Sequence, residues 1–377
     1  MELVLSELIG GLLDDGYGLT VISRTCEVRP HERLRWIHVP GPGRPFPLAY
    51  PWFFILGSLI TWMNRSGPVL STGAIVVNRV DWTAVHFCHR ATERMGLSRV
   101  SRRTPWYRLN AWLSNRLKAI GERYCYSVKR TGGLIGVSRG VSGEVVEHFP
   151  GVPTVTIANG VSLDRFHPDD RKRAEVRQRH GLTADELVAL FVGSEWERKG
   201  LEVAIDSLAH APEWKLLVVG DGNVATYRAH ARSSGVESRV VFVGTVSDPA
   251  PYYCASDAFV LPTSYETFSL VTYEAAATGV PLLVTPVNGV TDLLVDASNG
   301  WFIDREPSSI AARLRSLGGE PQRRAEMGSA GRSAAKEFTW RRMITAYRAV
   351  LDRQVSDESA VQSVSTPTAV ANIHAHR

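Results

Sequence analysis

Short apolar runs of strand length alternate with helix-length segments through almost the whole chain, and few architectures accept that order. It points to parallel sheets with helices laid over their faces. In the first half, residues 19–23, 34–39, 74–78, 83–88, 133–137 and 154–157 read as strands, and residues 2–14, 52–64, 105–129 and 141–149 read as helices. A turn signal begins at Asn159-Gly160 and runs to Pro168, followed by the charged stretch 169–179, so a domain boundary is expected there. A second series follows, with strands at 187–192, 215–219, 240–243, 258–261, 281–284 and 301–303 and helices that include 201–209, 225–234, 249–255 and 268–278. The expected fold class is α/β. A first domain spans 1–160 and is completed by an amphipathic helix at 340–353, and a second spans 161–339. The remainder, 354–377, is expected to be a disordered tail, because its Ser, Thr, Val and Ala follow neither a helical stripe nor strand alternation.

At 377 residues, 44% hydrophobic and 21% charged, the chain is ordinary for a soluble protein and long enough for two cores. Cys26, Cys88, Cys125 and Cys254 lie far apart with no C-x-x-C pair. That fits a reducing, cytoplasmic compartment and argues against a zinc site or a disulfide framework. The net charge of +5 is unevenly placed: between Arg90 and Arg130 stand eleven Lys or Arg against only Glu93 and Glu122. Within that span Trp106, Leu109, Leu113, Ile120, Tyr124 and Val128 recur at helical spacing, with Arg108, Arg116, Lys118 and Arg123 between them. Such a helix can lie on an anionic bilayer as a peripheral element. The same pattern also suits a solvated outer helix whose apolar stripe packs on the sheet. No basic recognition motif accompanies the patch, so no nucleic-acid partner is expected. The longest apolar run, 51–63, falls short of the roughly 20 residues a spanning helix needs. It reads as a buried helix of the α/β domain, with a membrane-dipping segment as the alternative.

Candidate chemistry concentrates in residues 263–279, T-S-Y-E-T-F-S-L-V-T-Y-E-A-A-A-T-G. Glu266 and Glu274 are separated by seven residues, the first in a turn after the strand 258–261 and the second about two turns into a helix. Both can therefore face a crevice at the carboxyl end of that strand, where open α/β sheets bind ligands. Free N–H groups near Phe268, Ser269 and Leu270 offer a seat for a phosphate. An anion seat beside two carboxylates that accept hydrogen bonds from hydroxyls suits a sugar nucleotide. Spacing alone would also fit a surface helix with two solvated glutamates.

The E-x7-E spacing, together with several local patterns in a fixed order, resembles glycosyltransferase family 4, up to about Arg353. Asn159-Gly160-Val161 with Phe166 and Pro168 is similar to its interdomain motif. Phe191-Val192-Gly193, followed by Arg198-Lys199-Gly200-Leu201, resembles the strand-loop-helix that binds the donor diphosphate. Val218-Val219-Gly220-Asp221-Gly222 and Val241-Phe242-Val243-Gly244 resemble the next two strand ends, and Phe338-Thr339-Trp340 the start of the closing helix. The resemblance implies a GT-B fold, two Rossmann-like domains facing a cleft. It also implies retaining transfer of a sugar from a nucleotide-diphosphate donor to a glycan or glycolipid acceptor, in cell-envelope or surface polysaccharide biosynthesis.

On that reading His89, Lys199 and Glu266 are catalytic, and Gly193, Arg198, Lys199, Gly220, Gly244, Glu266, Phe268, Ser269, Leu270 and Glu274 bind the donor. Glu266 would hold the sugar hydroxyls and Glu274 the ribose hydroxyls. Lys199 and Arg198 can supply the positive charge that a departing diphosphate needs. Cations at a helix start oppose the macrodipole, which favours a ligand role for the pair. No D-x-D or clustered metal ligands appear where a diphosphate would bind, so neither a metal nor another cofactor is expected. His89 follows the strand 83–88 and takes the position of a family histidine, whereas His86 points to the opposite strand face and reads as packing. The chain also departs from the family. Ser194 stands where many relatives have Arg, Thr267 and Ser269 stand where two glycines are common, and Asn288-Gly289-Val290-Thr291-Asp292 replaces a Gly-Gly-Glu turn, which leaves the donor sugar open.

A first domain of this type should open with a strand and a glycine-rich turn before the helix 2–14, and that strand should be central in its sheet. Unpaired buried backbone groups are costly. A vacancy or abnormal spacing is therefore expected beside 19–23 and 74–78, along with a chain truncated at its N-terminus and unstable or weakly active. Two alternatives stay open: a nucleotide-sugar-binding protein without transferase activity, and a GT-B-type sugar-nucleotide epimerase or hydrolase, for which no acid–base pair is visible.

Overall fold

The computed structural model describes residues 2–94, 105–359 and 368–373. The chain divides into two compact units, residues 1–158 with 340–377, and residues 159–339. In the first unit helix α1 (Glu2–Asp14) leads into β1 (Gly18–Ser23) and β2 (Leu34–His38); α2 (Phe46–Met63) follows, then β3 (Val69–Thr72) and β4 (Val80–Val85). The unit continues with α3 (His89–Arg94), α4 (Pro105–Cys125), β5 (Thr131–Gly136), α5 (Arg139–His148) and β6 (Thr154–Thr156). Helix α1 buries Val4, Leu5, Leu8, Ile9, Leu12 and Leu13, one helical stripe, as its spacing requires.

Two strands are displaced from their expected positions. The strand expected at 74–78 lies instead at Val69–Thr72, after which Gly73, at φ +95°, turns the chain. Ile75 and Val76 are buried in the core outside any strand, so their apolar character was no guide to strand structure. The strand expected at 83–88 starts and ends earlier, at Val80 and Val85. Helix α2 begins at Phe46, six residues before the expected start. Pro47 sits in its first turn, where a missing N–H costs little.

The second unit carries β7 (Leu187–Val192), β8 (Trp214–Val219), β9 (Val240–Gly244), β10 (Ala258–Leu261), β11 (Leu282–Val284) and β12 (Gly300–Phe302) in the parallel order β12-β11-β10-β7-β8-β9. The chain leaves β7 in one direction and returns through β10 on its other side. The carboxyl ends of these two strands therefore flank a topological switch point, where such sheets open a crevice. The charged stretch after the turn at Asn159 is no linker. It forms the helix Asp170–Arg179, N-capped by the Asp169 side chain, which accepts from Lys172 N at 3.0 Å. Arg177 lies on its inner face and pairs with Asp257 at 2.8 Å. The helices Pro307–Gly319 and Pro321–Ala335, beyond those named from the sequence, complete this unit.

The tail overturns one expectation and answers another. The closing helix runs on to Ser359, and Thr368–Ile373 forms β13, so this stretch is not disordered throughout. β13 enters the first sheet, whose order is β2-β1-β13-β3-β4-β5-β6. It pairs in parallel with β1 from Gly18↔Thr368 to Ser23↔Ile373, and with β3 from Val370↔Val69 to Asn372↔Ser71. The expected vacancy beside β1 is thus filled by a strand from the other end of the chain. The physical reason is the one that made a gap costly: two buried parallel neighbours offer unpaired N–H and C=O groups to any segment that can extend between them.

Candidate active site

In the second unit the three strand ends β7, β8 and β9 each finish in a glycine with positive φ: Gly193 at +141°, Gly220 at +130° and Gly244 at +86°. They lock together, Gly193 N donating to Val219 O and Gly220 N to Gly244 O, both at 2.9 Å. A Cβ on Gly220 would come within 2.2 Å of the Gly193 carbonyl oxygen, and one on Gly193 within 2.6 Å of the Lys199 side chain. Only glycine lets these backbones approach, and the approach sets where Lys199 lies. Ser194, in the place of a family arginine, follows directly.

The helix Trp196–Lys199 is four residues long, with Arg198 and Lys199 in its last turn, and the helix Leu201–Ser207 starts directly after them with Gly200 as its N-cap. The two cations thus precede a helix start, as expected, and each has a carboxylate partner. Lys199, 9% exposed, donates from Nζ to Glu266 Oε1 at 2.8 Å, and Arg198 reaches the same oxygen at 3.1 Å. Arg198 also holds Glu195 at 2.8 Å and the carbonyl of Tyr265, while its own carbonyl accepts from Ser264 N at 3.0 Å. Thr263 Oγ1 lies 3.2 Å from Glu266 Oε1. The loop after β10 and the loop after β7 are thus one construction at the switch point.

Glu274 is tied to the same neighbourhood. Burial, the largest influence, raises its carboxyl above the ordinary range, while the Tyr253 hydroxyl, donating at 2.7 Å, and the charges of Arg165 and Lys199 act in the opposite direction. Lys199 therefore acts on both glutamates. The helix Leu270–Ala277 starts at Ser269, which sits at φ +69°, in the left-handed region where the family's glycine would be at ease. No side chain caps this start, and the Ser269 hydroxyl turns to Thr272 at 2.8 Å. Thr272 N donates back to Ser269 O at 2.8 Å, and no side chain caps the amides before it. Gly289, at φ +77°, backs this turn: a Cβ there would fall 2.3 Å from the Phe268 carbonyl oxygen. Among the described residues no group of three or more His, Cys, Asp or Glu comes together as a metal cage.

His89 belongs to the first unit. It opens α3, its N–H donating to Glu122 Oε1 at 2.8 Å, and it lines a cavity of about 200 Å³ shared with Phe46, Tyr50, Lys118 and Glu122. Burial lowers the Lys118 ammonium below its ordinary range, with Glu122 opposing. His86 lines this cavity too, contrary to the reading that turned it away. β4 ends at Val85, so strand alternation no longer governs residues 86–89.

The Nε2 atom of His86 is buried without a hydrogen-bond partner, and burial lowers its pKa to about 4. Folding thus keeps this ring neutral, whereas the unfolded chain protonates it below about 6.5. Stability should accordingly fall as pH drops from about 6.5 towards 4, by roughly 1–3 kcal/mol. Urea unfolding at pH 7 and pH 5 checks this: His86→Gln should flatten the difference, and an unaltered difference would take His86 out of the account.

Residues 172–334 match the family of glycosyl transferases group 1. A D-inositol 3-phosphate glycosyltransferase of Xylanimonas cellulosilytica is 34% identical over 194 residues, 48% of this chain and 46% of its own. An uncharacterized glycosyltransferase of Methanocaldococcus jannaschii is 27% identical over 326 residues, 81% of each chain. The chain thus spans about half the length of the first relative and most of the second. Among solved structures WaaG, a glycosyltransferase involved in lipopolysaccharide biosynthesis, superposes with a TM-score of 0.77 over 92% of this chain and 95% of its own, at 20% identity, a likeness of fold.

Proposed function

We propose that this chain, whose residues 172–334 match the glycosyl transferases group 1 family and whose fold is of the GT-B type, is a retaining, metal-independent transferase. It moves a sugar from a nucleoside-diphosphate donor to a glycan or glycolipid acceptor at the cytoplasmic face of the envelope. The observation that carries this reading is the convergence of Lys199 and Arg198 on Glu266 at the carboxyl ends of β7 and β10, beside an uncapped helix start. In the reaction the bond between the anomeric carbon and the β-phosphate oxygen breaks, and its electron pair leaves on the nucleoside diphosphate. The acceptor oxygen bonds to that carbon and its proton passes to the departing phosphate. Lys199, Arg198 and the amides near Phe268, Ser269 and Leu270 meet the charge as it develops, the kind of stabilisation that contributes most in such steps. Glu266 orients the sugar hydroxyls, and Glu274 takes the ribose. The cavity around His86 and His89 is the candidate seat for the acceptor head group. An acceptor of envelope type is in keeping with the fold likeness to WaaG.

The test is a panel of UDP-, GDP-, ADP- and dTDP-sugars offered to the purified chain, scoring binding by calorimetry and turnover by release of nucleoside diphosphate on addition of membrane glycolipids. One donor should both bind and turn over. Binding of a donor without turnover would favour a donor-binding protein, and failure to bind any donor would overturn the site.

A further inference from the structure

Helix α2 is apolar on both faces. Its inner face sets Tyr50 and Phe53 among Ala49, Gly57, Ser58 and Thr61, with Phe54, Leu56 and Ile60 packed partly buried against the same core. Its outer face carries Trp52, Ile55, Leu59 and Trp62 on successive turns, with Ile55 69% and Trp62 71% exposed. The inner face is fixed in place: Ser58 Oγ accepts from Val77 N at 2.8 Å, and Tyr50 and Phe53 belong to the core of the unit. Although α2 is long and apolar enough to cross a bilayer by length and composition, it is anchored along its length to the sheet. The expectation of a buried helix is met on one face only.

Helix α4 likewise turns large apolar residues outward, while Leu117 packs on the core. Ser114, Gly121, Glu122 and Cys125 face inward, whereas Trp106, Leu109, Trp112 and Ile120 face out, with Trp106 79% exposed and Trp112 60%. The apolar stripe legible in the sequence therefore does not pack on the sheet. The guanidinium-bearing Arg108, Arg116 and Arg123 are exposed between these residues. Both helices connect strands in the same direction along the sheet, β2 to β3 and β4 to β5, so right-handed crossovers put them in one layer. They touch through Phe54 and Tyr124, ring centroids 6.3 Å apart, and through Lys118 Nζ, 4.9 Å from the Phe46 ring.

Soluble monomers rarely expose a contiguous apolar patch above a few hundred Å², and a single tryptophan brings about 150–250 Å². Four outward tryptophans in one helical layer, interleaved with arginines and without an outward acid among the residues named, match the composition of an interfacial, bilayer-seated surface. We propose that the outer face of α2 and α4 is the site at which this chain docks on an anionic lipid bilayer. The arginines of α4 meet headgroup phosphates, and the apolar ridge of α2 enters the boundary of the acyl layer. Phosphate chemistry selects the anionic lipid, and the tryptophans select a bilayer over a soluble phosphate. The inference rests on the transferase reading only for its purpose, delivery of a lipid-borne acceptor to the cavity that Phe46, Tyr50, Lys118 and Glu122 line between these helices.

Flotation of the full chain with vesicles of phosphatidylcholine containing phosphatidylglycerol, without any donor present, tests the docking independently of transfer. The chain should float with these vesicles, bind pure phosphatidylcholine at least tenfold less, and lose binding as salt rises from 0.05 to 0.5 M. Arg116→Glu/Arg123→Glu should weaken binding at least tenfold, since each arginine near such a surface contributes about fivefold. Ile55→Glu/Trp62→Glu should do the same at low salt. Nucleotide-sugar affinity of both variants should match that of the parent, so a failed donor assay and a failed docking assay are separate results. Flotation that is unchanged in both variants, or absent in the folded parent, would overturn the proposal. So would a stable dimer that Ile55→Glu/Trp62→Glu dissociates while vesicle binding is absent, since a second copy would then be the occupant of the ridge.

Discussion

Alanine at Glu266 or at Lys199 is expected to stop sugar transfer while leaving the protein folded. Loss of a preorganised group facing developing charge lowers turnover by about 10²–10³-fold, and both residues here do more than one task. Lys199 acts on Glu266 directly and on Glu274 through its charge. Its removal should also weaken nucleoside diphosphate binding by about tenfold or more, because a charge-assisted contact disappears. Folding should tolerate both changes. In Lys199→Ala, Glu266 keeps Arg198 at 3.1 Å, and in Glu266→Ala, Arg198 keeps Glu195 at 2.8 Å. Glu266→Gln is the sharper variant, since it can keep an oxygen toward Lys199 and Thr263 while losing the charge. Turnover of the preferred donor and a thermal melt decide the matter. Unchanged turnover in either alanine variant would sink the site assignment.

A chain ending at Ser359 is expected to melt about 10 °C or more below the full chain. Without β13 the backbones of β1 and β3 lose their shared partner, which is in register with six residues of one and three of the other. Ladder hydrogen bonds contribute roughly 0.5–1.5 kcal/mol each and cost more when left unmade in a buried place. In a unit of this size each kcal/mol moves the midpoint by about 2–4 °C. A synthetic peptide of residues 366–375, added in excess, should recover part of the loss. A melt indistinguishable from that of the full chain would show that the sheet closes without this strand.

The second unit was more legible than the first, for reasons that lie in particular residues. From β7 to β10 each strand is a short, dense apolar run ended by glycine or proline, and the positions of Gly193, Gly220, Gly244 and Glu266 follow from where those runs stop. In the first unit apolar character and extension part company. Ile75 and Val76 are buried in a loop, His86 lies beyond the end of its strand, and Ile55 and Trp62 are apolar yet face outward. A pattern that assigns apolar runs to strands misplaces Ile75 and Val76, and one that assigns apolar residues to the interior misplaces Ile55 and Trp62. β13 was illegible for a different reason. Nothing local in Thr368–Ile373 requires a strand, and its extension depends on partners more than 290 residues away in sequence.

That separation has a consequence for how the chain is made. The second unit is contiguous, but the first is assembled from two segments, one before it and one after it in the chain. At 5–20 residues per second, roughly 10–40 s pass between synthesis of β6 and synthesis of β13. Through that interval β1 and β3 exist without their common neighbour, while the tryptophans of α2 and α4 are already out. The nascent protein is therefore at its most adhesive before β13 appears. Its yield in a cell should depend on what holds the first unit during that wait, a chaperone or the bilayer itself, more than on the stability of the finished fold.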